Sequence, residues 1–113
     1  MTRRRKDLEK ALLALVESTD ELRAVLLRYK KANLKLLSMA AQGELVLASL
    51  ERVGGSTLRP ELTDALDAFS GARHDGRLAL LAAALEDGGT MSDIGRALSV
   101  SRQLISRLAG EQQ

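Results

Sequence analysis

Met91-Ser92-Asp93-Ile94-Gly95-Arg96-Ala97-Leu98-Ser99-Val100-Ser101-Arg102-Gln103-Leu104-Ile105-Ser106-Arg107-Leu108 is the stretch that decides the fold. Thr90 precedes it and has Asp93 three positions on, the spacing at which two side chains cap a helix reciprocally. Ile94, Gly95, Ala97 and Leu98 continue that helix, and Ser99-Val100 makes a tight connection. Ser101 is then a natural N-cap for a further helix from Arg102 to about Ala109. Upstream, a Leu- and Ala-rich helix from about Arg77 to Glu86 is expected to stop at Asp87-Gly88-Gly89. Three short helices in sequence are therefore expected between Arg77 and Gln113.

The rest of the composition agrees with helices. Hydrophobic residues make up 45% of the 113 residues and charged residues 28%, a globular balance. Tyr29 and Phe69 are the whole aromatic set, so the core must come from Leu, Ala, Val and Ile. No β-branched run alternates with period two, and no strand is expected. Cysteine is absent, which removes disulfides, thiolate metal sites and cysteine nucleophiles and suits a reducing cytoplasm. No apolar run has the length of a signal or membrane span, so the expected location is the cytoplasm, in association with the nucleoid.

The amino-terminal part reads as one long helix, with no Gly or Pro from Thr2 to Gln42. Leu8, Leu15, Leu22, Tyr29 and Leu36 recur every seven residues, with Leu12, Leu26, Ala40 and Leu47 in the fourth places between them. Thr19 and Asn33 interrupt that second row. Such a stripe is expected of a helix that pairs with another helix. The seam expected to form a homodimer is thus Leu8, Leu12, Leu15, Leu22, Leu26, Tyr29, Asn33 and Leu36. Asn33 is either a register-fixing polar seam residue or a partly wet position. Further apolar residues such as Leu13, Val16, Leu27, Leu34 and Leu37 widen the stripe, as in a bundle rather than a bare coiled coil. An intramolecular hairpin at Ser18–Glu21 is the alternative to a continuous helix. Gly43 falls on the seam, and Gly54-Gly55 ends the pattern, making Gly54–Arg59 the expected linker. Pro60 suits a first helical turn, Leu62, Ala65, Leu66 and Phe69 have helical spacing, and Ser70-Gly71 is expected to end or bend that short helix.

The Met91–Leu108 stretch resembles the bacterial helix-turn-helix signature, most closely the variants of recombinases, sigma-like regions and small repressors. That signature takes an apolar then a small residue in its first helix, here Ile94 and Gly95. Leu98 and Val100 bracket the turn, and Ile105 and Leu108 are the buried positions of the following helix. The turn position usually held by Gly is Ser99, and the small residue is Gly rather than Ala. The resemblance covers about a third of the chain. It implies a helix laid in the major groove of double-stranded DNA, with Ser101, Arg102, Gln103, Ser106 and Arg107 facing the bases. Thr90, Ser92 and Arg96 would face the phosphate backbone. The basic cluster Arg3, Arg4, Arg5 and Lys6 reads either as a mobile arm along the phosphates or as a solubilising tail.

The expected protein is all-α. Residues 1–55 form a long helical dimerisation region with the basic arm, and residues 56–113 a helical DNA-binding domain with its motif at about 90–109. The expected function is a sequence-specific transcriptional regulator acting as a homodimer. An architectural DNA-binding protein is the near alternative, and a helical adaptor that binds another protein is the distant one. The charge distribution complicates nonspecific binding, because residues 1–35 hold ten Lys/Arg against five Asp/Glu while residues 36–113 hold seven against ten. Catalysis is not expected. His74, the single histidine, sits beside Asp75 and reads as a loop residue; Gly54-Gly55-Ser56-Thr57 lacks the lysine of a phosphate-binding loop. No metal site and no cofactor are expected; an effector ligand is neither implied nor excluded.

Overall fold

The computed structural model describes residues 2–111, so the last two residues of the expected Arg77–Gln113 segment lie outside it. The described residues contain helices and no strand. In chain order the helices are α1 (Arg3–Ala41), α2 (Val46–Arg52), α3 (Gly55–Glu86), α4 (Met91–Leu98) and α5 (Arg102–Glu111). The all-α class and the long first helix, 39 residues, follow the sequence pattern. No helix among the described residues is long and apolar enough to cross a membrane.

Two compact units share this chain. One is Glu17–Ser70; the other is formed by the described residues on either side of it. This differs from the expected division at residue 55. The cause lies in α3, which is a single helix of 32 residues where a linker and two short helices were expected. Val53 and Gly54, the latter at φ +74, make the turn between α2 and α3, and Gly55–Arg59 belong to α3, so Gly54–Arg59 is not a linker. Pro60 stands sixth in α3, where it removes one main-chain donor close to the helix start and the helix continues. Ser70-Gly71 does not break it either. The inward positions Leu62, Ala65, Phe69, Ala72 and Gly76 keep a three–four spacing across that point, and burial along this row outweighs the roughly 1 kcal/mol propensity cost of Gly71.

In the 17–70 unit, the second half of α1 packs against α2 and the start of α3. Its fully buried set is small: Val25, Ala32, Ala65 and Ser49, whose hydroxyl donates to the Leu45 carbonyl at 2.9 Å. The row Leu8, Leu15, Leu22, Tyr29 and Leu36 lies on or beside the inward face, but its companion row is Ala11, Ser18, Val25, Ala32 and Met39. Leu12, Thr19, Leu26, Asn33 and Ala40, the fourth-place row, are exposed. Small residues at the third places permit close helix approach, which leaves the larger neighbours outside. Asn33 is exposed and its amide donates to the Tyr29 carbonyl of its own helix at 2.9 Å. Gly43 ends α1 instead of kinking a longer helix, with φ +77.

In the other unit, the second half of α3 packs with α4, α5 and the start of α1. Leu81, Ile94, Ile105 and Leu108 form its core, with Leu78, Leu85, Met91, Val100 and Leu104 packed around them. Leu81 and Ile105 are fully enclosed. Arg3–Lys6 is not a detached arm: it is the first turn of α1, with Arg5 ion-paired to Asp87 and Arg3 and Arg4 beside Ala82, Leu85 and Glu86. His74 is not in a loop but inside α3, where its Nε2 lies 3.0 Å from Glu111 on α5.

Leu81→Ala and Ile105→Ala each lower the unfolding free energy by about 2–5 kcal/mol, because both side chains leave a sealed cavity behind. Leu13→Ala, at a position 60% exposed, changes it by about 0.5 kcal/mol or less. Urea denaturation followed by circular dichroism measures all three.

Candidate nucleic-acid interface

The geometry of α4 and α5 follows from three local devices. At the start of α4, the Thr90 hydroxyl accepts the Asp93 amide N–H at 3.1 Å, and the Thr90 amide donates to the Asp93 carboxylate at 3.3 Å. This reciprocal cap satisfies two donors that the first helical turn cannot. The Thr90 side-chain and main-chain hydrogen bonds hold the Asp93 carboxyl below its ordinary pKa, and Arg96, with Nη2 2.5 Å from Asp93 Oδ1, acts in the same direction.

Between the two helices the chain reverses through Ser99, whose backbone is left-handed at φ 56, ψ 40. The Ser99 amide donates to the Arg96 carbonyl at 3.2 Å and the Val100 amide to the Gly95 carbonyl at 2.9 Å. This paired arrangement is the Schellman ending of a helix. The same pair of bonds ends α3, where Gly88 takes the left-handed position at φ +94. Ser99 thus does with a side chain what Gly88 does without one, at a steric cost.

The third device is the close approach at Gly95. A Cβ built there would lie 3.0 Å from the Val100 carbonyl oxygen and 3.7 Å from Ile105 Cγ1. Glycine removes that atom, and α5 packs directly across the α4 backbone. α5 then begins at Ser101, whose hydroxyl accepts the Leu104 amide at 3.1 Å.

These devices set what each side chain can touch. Ile105 and Leu108 turn into the core, while Ser101, Arg102, Gln103, Ser106 and Arg107 are all exposed. The five residues expected to face bases therefore share the solvent side of α5 and its cap, with no acidic residue among them. Ser101 spends its hydroxyl on the cap, so its part in any contact is shared with the helix start. Of the three expected phosphate contacts, Thr90 and Arg96 are exposed but engaged with Asp93, and Ser92 is exposed in the first turn of α4. Arg3, Arg4, Arg5 and Lys6 are exposed on α1, close to the end of α3. Sequence reasoning did not find the Arg5–Asp87 and His74–Glu111 pairs. Each joins residues distant along the chain, and no local signal marks them. No group of three or more His, Asp or Glu among the described residues is placed to hold a metal ion. No family model, no curated protein and no solved structure matches this chain.

Replacing Ser99 with Gly raises stability by about 0.5–1 kcal/mol, the left-handed penalty less the added freedom of the unfolded chain. Thr90→Ala lowers it by about 1 kcal/mol through loss of the cap. The Asp93 contribution has a defined pH dependence. Its folded pKa is depressed, so the stabilisation is fully present above the ordinary carboxylate value of 3.8 and disappears as pH falls through the lowered one. The stability gap between the wild type and Asp93→Asn, measured by urea unfolding, narrows on acidification below that value.

Proposed function

We propose that α4, the Ser99 turn and α5 form a helix-turn-helix, and that the protein is a sequence-specific DNA-binding regulator acting as a homodimer. The observation that supports this best is the exposed face of α5. Two arginines, a glutamine and two serines stand together at the start of a helix whose opposite side is locked by Ile105 and Leu108. A helix presented so rigidly, with its amino-terminal end outward, fits the major groove. Arg102 and Arg107 offer the forked donors that match guanine O6 and N7, and Gln103 offers the donor–acceptor pair that matches adenine. Ser92 and the basic first turn of α1 are the phosphate contacts in this reading, and Arg96 joins them by exchanging Asp93 for a phosphate.

Selective binding is favoured over an architectural role by charge. From Arg73 onward five arginines balance five acidic residues, which gives little of the phosphate attraction on which nonspecific binders depend. A single motif of this kind reads few base pairs, so two copies on a two-fold axis supply the remaining affinity. In this reading the protein works at the nucleoid, by binding rather than by catalysis.

The double variant Arg102→Ala, Gln103→Ala abolishes the electrophoretic shift of a DNA fragment selected by the wild type, with far-ultraviolet circular dichroism unchanged. A wild type that shifts no genomic fragment at low salt rejects DNA binding and favours the adaptor reading.

A further inference from the structure

The 17–70 unit has two unlike flanks. On one side of the α1–α3 seam stand Arg28, Lys31 and Lys35 with Arg52 of α2, charged side chains whose pairs with Glu61 and Glu44 are intrachain. On the other side two apolar hollows follow one another. The first, about 400 Å³, lies among Tyr29, Asn33, Leu36, Leu50, Leu62 and Leu66; the second lies among Leu22, Leu26, Leu27 and Phe69. Leu26, Leu27, Tyr29, Leu50 and Leu66 remain 41–59% exposed. A charged flank needs no cover. The apolar flank does, and the unit's own core of Val25, Ala32, Ala65 and Ser49 is too small to hold 54 residues on burial alone.

We propose that the occupant of this flank is the same flank of a second copy of the chain, which forms a two-fold helical bundle. The proposal deepens the homodimer reading above and is independent of whether α5 binds DNA. Area supports a copy: at roughly 200 Å² for a large side chain, the five half-exposed residues leave on the order of 400 Å² of apolar surface. A stable interface buries about 800 Å² per partner, some 60% of it apolar, and Leu22, Leu36, Leu62 and Phe69 supply the remainder.

Sedimentation equilibrium of the full chain without DNA tests this. The wild type sediments at twice the chain mass at micromolar concentration, Leu26→Asp and Leu66→Asp each at the single mass, and Lys35→Glu, on the charged flank, at twice the mass. The chain has no cysteine, so single cysteines provide a second readout that does not depend on tolerance of a buried charge. A short bismaleimide joins a mixture of Leu26→Cys and Leu66→Cys into covalent dimers, and does not join Lys35→Cys. A monomeric wild type overturns the proposal and leaves the flank to a different protein. Dimers that survive both aspartate variants, or cross-linking of Lys35→Cys as efficient as that of the mixture, overturn it as well. Failure of DNA binding at α5 would show in the electrophoretic assay and in none of these measurements.

Discussion

The hydrogen bond from the Val100 amide to the Gly95 carbonyl, 2.9 Å long, is the constraint on which the carboxyl-terminal structure depends. It closes the turn only because Ser99 accepts a left-handed backbone and because Gly95 has no Cβ to strike the Val100 carbonyl. With the turn closed, Ile105 and Leu108 fall onto Leu81 and Ile94 and exclude water. That packing fixes which side of α5 faces away from the core. That side presents Arg102, Gln103, Ser106 and Arg107 to solvent.

The two units are stabilised by different means. Around Leu81 and Ile105, large aliphatic side chains are sealed and the reciprocal Thr90–Asp93 cap fixes where α4 begins. In the 17–70 unit the buried positions are filled by a valine, two alanines and a serine, and the leucines are half-buried or exposed. Small seam residues bring helices close but bury little area, and area sets the hydrophobic gain. The unit around Leu81 and Ile105 therefore has a sealed core, and the 17–70 unit leaves much of its apolar surface exposed.

Exposed ion pairs such as Arg28–Glu61 and Arg52–Glu44 contribute little stability, since both partners remain hydrated. The equally exposed pairs Arg5–Asp87 and His74–Glu111 join the first turn of α1 to the end of α3, and α3 to the last turn of α5, within one helical unit.

Local chemistry made much of this legible in the sequence. The cap at Thr90, the Ser99 turn, the Ser101 start, the inward Ile105 and Leu108 and the exposed face of α5 all depend on residues within a few positions of one another. The seven-residue row of α1 was legible for the same reason. What the sequence did not decide was which neighbouring row completes that seam, whether α3 would pass through Pro60 and Gly71, and where Arg3–Lys6 would lie. Leu12 and Leu26 outrank Ala11 and Ala32 on hydrophobicity, and a proline and a Ser-Gly pair outweigh helix propensity when judged locally. Tertiary packing decided both within the chain: the row Ala11, Ser18, Val25, Ala32 and Met39 faces inward on α1, and an unbroken row of inward contacts along α3 exceeds the cost of its weak helix formers.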